Sequence, residues 1–125
     1  MKPGAGVRAR RHWSGDGHDA TDREANWASL IESPMHPEYP SGHSILAAAV
    51  GTVLQAEIKK RPALATASPT TKGATRRWTG VEPFVQEVSN ARVYAGIHFR
   101  SATEAGEAMG QRIGELAARR ASGRH

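Results

Sequence analysis

The stretch Pro40-Ser41-Gly42-His43-Ser44-Ile45-Leu46-Ala47-Ala48-Ala49-Val50 decides the fold. Ser41 is a good helix N-cap, and Ile45, Leu46, Ala49, Val50, Val53, Leu54 and Ile58 recur behind it at helical spacing. Upstream, Pro34-Met35-His36-Pro37-Glu38-Tyr39-Pro40 reads as extended, because a residue before proline is pushed out of the helical region. The helix therefore begins abruptly at Ser41. It is expected to end at Lys59-Lys60-Arg61, before Pro62, where cations suit the carbonyl end.

Working outward, Pro62 to Trp78 is rich in Ala, Thr, Ser and Lys and reads as a surface loop. A second helix is expected over Val81 to Ala95, with Val81, Phe84, Val85, Val88 and Ala91 on one face, and Gly96 interrupts it. Ser101 with Glu104 has the spacing of a capping box. It opens a third helix to about Arg119, with Ala105, Met109, Ile113 and Leu116 on one face. The tail 119–125 is basic. Before Pro34, Ser14-Gly15-Asp16-Gly17 is a turn cluster, and a short helix is expected near Asp22 to Leu30. The fold class is all-α, a partial helical bundle in a single domain over 1–125.

Composition agrees. The 125 residues suit one small domain, and 38% hydrophobic with 23% charged residues excludes a disordered tail. The longest apolar stretch, Ile45 to Leu54, is about half of the roughly 20 residues that a membrane span needs. No secretory leader is visible near Met1, so a soluble chain of unassigned compartment is expected. There is no cysteine, hence no disulfide and no thiolate metal site. Abundant alanine and only seven aromatic residues favour close-packed helices. The net charge of +5 suits anionic substrates. Its basic clusters lack interleaved aromatics, so no specific nucleic-acid binding is expected. Asp16, Asp19 and Asp22 lack the register of a calcium loop and read as a solvated turn.

Chemistry concentrates in two segments. Helix N-termini present unpaired N–H groups and the positive end of a dipole, so the start at Ser41-Gly42-His43 suits an anion. Gly42 allows close backbone approach, and His43 adds an imidazole that can pass a proton. A plain capped helix with an incidental histidine reads equally well. The second segment is Arg92-Val93-Tyr94-Ala95-Gly96-Ile97-His98-Phe99-Arg100. Arginine can hold phosphate-like oxygens by two parallel hydrogen bonds, and an imidazole just past the helix could attack phosphorus. A solvated arginine and a packed histidine explain the same residues.

Together the segments are more specific. Pro40-Ser41-Gly42-His43, followed by Arg92, five residues and His98, resembles the second and third motifs of the phosphatidic-acid phosphatase type 2 / vanadium haloperoxidase superfamily. Those motifs read P-S-G-H and S-R-x5-H-x3-D, behind a first motif K-x6-R-P. His36 to Ser44, Ala91 to Arg100, and Asp16 to Thr21 with Trp27 resemble the soluble vanadium-chloroperoxidase-like branch. The resemblance covers residues 13–118. No K-x6-R-P occurs; Lys2-Pro3 and Arg8 lack its spacing. Ala91 stands in place of the motif's serine, and Ala102 in place of the aspartate that orients the histidine. The capping box accounts for Glu104, and an exposed position in a proline-rich loop accounts for His36.

The resemblance implies His98 as nucleophile or vanadate ligand and His43 as general acid/base. Arg92, Ser41 and Gly42 would bind the phosphate or vanadate oxygens. The implied function is phosphate-monoester hydrolysis of a small phosphorylated substrate through phosphohistidine, with no cofactor. One alternative is a vanadate-dependent haloperoxidase using the same residues with vanadate as cofactor. The other is a truncated, inactive remnant with weak oxyanion binding. With part of the usual bundle absent, an uncovered apolar face would promote homo-oligomers.

Overall fold

The computed structural model describes residues 28–32, 34–58 and 63–123. In chain order they form α1 (Gly42–Glu57), β1 (Leu64–Ala67), a 3-10 turn (Pro69–Thr71), β2 (Thr75–Trp78), α2 (Val81–Tyr94) and α3 (Arg100–Ala121). The expected helical bundle is present, with one small hairpin added.

Small residues bring α1 and α3 together almost backbone to backbone. Gly106 lies level with Ser41 and Ser44, Gly110 with Ile45 and Ala48, and Gly114 with Ala49 and Thr52. Both helices therefore advance in the same direction. A Cβ on Gly106 would stand 2.6 Å from the Ser41 carbonyl oxygen, and one on Gly114 2.6 Å from that of Ala49. One on Gly110 would collide with the Ile45 carbonyl. Glycine spaced by four puts a flat strip along α3, and close packing along it supplies the dispersion contacts that bulky side chains supply elsewhere. α2 runs antiparallel to α1 on the other flank. Gly51 faces Val81 and Val85 there, while Ser44 meets Ser89.

The seam corrects the periodicity reading of the last helix. The buried residues of α3 are Ala102, Thr103, Gly106, Gly110 and Gly114, whereas Met109, Ile113 and Leu116 are exposed. On a helical projection these three lie on the side of the glycine row away from α2. Leu46 and Val50 of α1, also exposed, lie on the same flank.

Other boundaries differ as well. The expected loop before Trp78 contains an antiparallel hairpin with Leu64 opposite Trp78 and Ala67 opposite Thr75. Lys72 and Gly73, at φ 50° and 80°, reverse the chain. Glu87 of α2 pins the hairpin: it accepts from Arg76 Nε at 2.6 Å and from Trp78 Nε1 at 2.9 Å. The Trp78 ring also meets Phe84 edge-on. α1 ends at Glu57 with Ile58 as cap, and Lys59 to Arg61 lie outside the described residues. The Ser101/Glu104 capping box does not form. α3 starts one residue before Ser101, behind Phe99, with no side-chain cap of its own. Ala28 to Leu30 are not helical. The rest of the expected first helix, Asp16, Asp19, Asp22, Lys2-Pro3 and Arg8 lie outside the described residues. Among the described residues no helix is long and apolar enough to cross a membrane.

Candidate functional site

The largest fully buried side chains are Ile97, His98, Thr103, Ser41, Ser44 and Ser89, and five of those six are polar. Buried polar groups are expensive unless satisfied, so their concentration at one end of the bundle marks a built region.

One wall is the start of α1. The chain enters through a cis Tyr39–Pro40 peptide. Ser41 is the N-cap as expected, and its Oγ accepts from the Ser44 amide at 3.4 Å and the Ser44 hydroxyl at 3.1 Å. The Ser41 amide donates to the Ala102 carbonyl at 2.9 Å, fastening the cap to α3. Gly42 faces open space, since a Cβ there would meet nothing within 4 Å. His43 is exposed beside it.

The other wall follows α2. Gly96, at φ 77°, takes the left-handed conformation that ends the helix. The Ile97 and His98 amides both turn back to the Arg92 carbonyl, at 3.0 and 3.3 Å. The turn carries His98 inward, where it is only 1% exposed. Its Nδ1 lies 2.6 Å from the Glu38 carbonyl oxygen. A carbonyl can only accept, so Nδ1 carries the hydrogen, and in the neutral form of the ring the lone pair lies on Nε2. The Glu38 carboxylate stands 3.5 Å from the same Nδ1 and accepts from the Phe99 amide at 2.8 Å. Glu38 thus orients the imidazole and caps α3. Ala102, expected from the resemblance to leave His98 without an orienting partner, is itself completely buried, and Glu38 fills that part from the segment before α1.

Arg92, in the last turn of α2, is half-buried, and its Nε and Nη2 are enclosed without a hydrogen-bond partner among the described residues. Burial holds its pKa below the ordinary value. The His43 pKa is lowered from 6.5, first by partial desolvation of its ring and then by electrostatic interaction with Arg92 and His36. His36 is exposed as expected, yet its ring stacks on that of His98, centroids 5.7 Å apart and planes 15° apart. Its Nδ1 donates to the Pro37 carbonyl at 3.0 Å. Sequence reasoning discounted His36 and passed over Glu38, Ser44 and Ser89. The only available signal was their proximity in sequence to Ser41, His43 and Arg92. A separate cavity of about 630 Å³ between Thr52, Gln55, Val85 and Gln111 includes none of these residues.

The family model described as VCPO second helical-bundle domain matches residues 3–124. The chain belongs to that family. VCPO second helical-bundle domains fall within the phosphatidic-acid phosphatase type 2 / vanadium haloperoxidase superfamily, and the solved structures agree. The first bacterial vanadium-dependent iodoperoxidase is 28% identical with a TM-score of 0.66, over 72% of this chain and 22% of that one. A holo-type bacterial vanadium-dependent chloroperoxidase is 20% identical, TM-score 0.67, over 91% of this chain and 29% of that one. An apo-type bacterial chloroperoxidase gives 21% and 0.63, over 78% and 24%. These two chloroperoxidases show likeness of fold. The VCPO-type chain spans less than a third of the length of each of the three. No curated protein matches it.

Proposed function

We propose that this chain forms the oxyanion-holding part of a vanadate-dependent haloperoxidase-type site. The Arg92 guanidinium carries the reading. A cation whose Nε and Nη2 are enclosed with no hydrogen-bond partner among the described residues is costly unless an anion completes it. The donors nearby have the right chemistry. His98 offers the Nε2 lone pair, Arg92 the hydrogens of its Nε and Nη2, Ser41 a hydroxyl, and Gly42 a first-turn amide at the positive end of α1. Bound vanadate would supply a Lewis-acidic oxide centre that activates peroxide for halide oxidation.

The chain's own residues set the conditions. Glu38 fixes the His98 tautomer, so that Nε2 remains the donor atom. His43, with its lowered pKa, is neutral near pH 7 and can take up a proton and return it. His36 covers one face of the His98 ring.

The lone pair on His98 Nε2 also supports a second reading, phosphate-monoester hydrolysis. Nε2 would form a bond to phosphorus as the ester P–O bond breaks, and protonated His43 would give its proton to the leaving oxygen. Neutral His43 would then take a proton from water as that water displaces the imidazole and releases phosphate. Because His43 resists protonation, this cycle would favour acidic pH.

Orthovanadate titration followed by vanadium NMR tests the site itself. Wild-type chain should bind, and His98→Ala should weaken binding tenfold or more. Bromide or iodide oxidation by peroxide after vanadate loading would support the first reading, and hydrolysis of a chromogenic phosphate ester the second. A folded wild-type chain that ignores both vanadate and phosphate overturns both.

A further inference from the structure

Ser41, Ser44 and Ser89 are each 0% exposed and form a continuous hydroxyl chain from α2 to the cap of α1. A hydroxyl has one hydrogen to donate and two lone pairs to accept with. Both lone pairs of Ser41 are occupied, by the Ser44 amide and the Ser44 hydroxyl. Ser44 has spent its only hydrogen on Ser41. Its 3.0 Å contact with Ser89 must therefore be a hydrogen bond donated by Ser89. The proton order is Ser89 to Ser44 to Ser41, and no described acceptor takes the Ser41 hydrogen.

We infer that Ser89 and Ser44 are positioning residues that make Ser41 an obligate donor to the oxyanion. The inference rests on the anion-site reading above. An ordinary capping serine can rotate its hydroxyl and either give or accept. Here acceptance is closed off, so Ser41 suits an oxygen that carries no proton and disfavours a protonated one. Ser89 also lies three residues before Arg92, one turn away on α2. The chain thereby ties the orientation of the serine donor to the helix that carries the guanidinium.

A double-mutant cycle in orthovanadate affinity tests this, with folding checked by circular dichroism. Ser89→Ala should weaken binding about threefold to tenfold, the usual range for one hydrogen bond. In a Ser41→Ala background the same change should have little further effect, because the residue it acts through is gone. A merely structural serine would weaken binding equally in both backgrounds, and that result overturns the inference. So does unchanged affinity in Ser89→Ala. Should Ser89→Ala fail to fold, Ser44→Ala carries the same expectation. If the wild type binds no vanadate, the site reading fails and takes the inference with it. Wild-type binding that neither serine variant alters defeats the inference alone.

Discussion

The two ends of burial in this molecule are inverted. At the mouth of α1 most of the sealed side chains are polar, with serines, a threonine and a histidine beside Ile97 and Ala102. On the outer flank of α1 and α3 the exposed ones are Leu46, Val50, Met109, Ile113 and Leu116. A domain stabilised only by its own apolar core would have the opposite arrangement. The contrast shows that α1 and α3 are held by backbone proximity along the glycine seam, while α2 packs on α1 through Val81, Val85 and Ser89. The apolar flank contributes little to the fold as described.

The strongest way to break this comparison is to thicken the seam. Gly110→Leu would drive a side chain into the Ile45 carbonyl and Ala48. The helices would have to separate along their length, losing about 3 kcal/mol or more. Urea unfolding monitored by circular dichroism measures it. A stable Gly110→Leu chain would mean that the parallel contact is not what holds α3.

Next in size is the polar interior. Arg92→Met keeps a long apolar stem but removes the charge and the unpaired donors. It should weaken orthovanadate binding by about 1.5–3 kcal/mol, the range for hydrogen bonds to charged groups. The same change should move the His43 pKa back up towards 6.5, since one of its lowering causes is the Arg92 charge. Proton NMR titration of His43 reads that shift. The linkage has a definite sign. Below 6.5 the unfolded chain binds a proton at this position that the folded chain resists. Stability due to His43 therefore falls as pH drops from that value to the lower folded-state pKa, and Arg92→Met should narrow the window.

How far the sequence was readable follows the same division. α1 was legible because Ser41 announces a cap and the aliphatic residues behind it repeat at helical spacing. α2 was legible for a similar reason. The seam was not, because hydropathy periodicity follows bulky side chains and passes over Gly106, Gly110 and Gly114. Their spacing by four was the signal, but it identifies close approach only once a partner helix is known. The candidates Ser41, Gly42, His43, Arg92 and His98 could be named through the resemblance of their motifs to those of the superfamily. Glu38 could not, because it acts partly through its main-chain carbonyl, and a carbonyl has no sequence signature. Ser89 meets Ser44 from 45 residues away, a pairing that depends on how α2 packs. The hairpin was hidden in a stretch of Thr, Ala and Lys. Glu87, on the next helix, supplies the ion pair and the indole hydrogen bond that fasten it.

A moderate effect is expected at Glu38, which touches both regions. Glu38→Ala removes the acceptor for the Phe99 amide and the negative charge at the start of α3. The loss should be about 1 kcal/mol of stability, typical of a helix cap. The Glu38 carbonyl remains, so the His98 tautomer should persist and be visible in nitrogen NMR shifts. Loss of that tautomer would show that the side chain, and not the backbone, orients the ring.

The smallest effect should lie on the outer flank. Ile113→Ser and Leu116→Gln replace exposed apolar groups, and each should change folding stability by less than about 0.5 kcal/mol. Sedimentation at increasing concentration should then distinguish two accounts of the flank. If wild-type chains associate through it, the double variant should remain monomeric where the wild type does not. If the double variant instead loses 2 kcal/mol or more while monomeric, the flank is covered by part of this same chain. In that case the apolar side chains hold the fold together after all, and the inversion disappears.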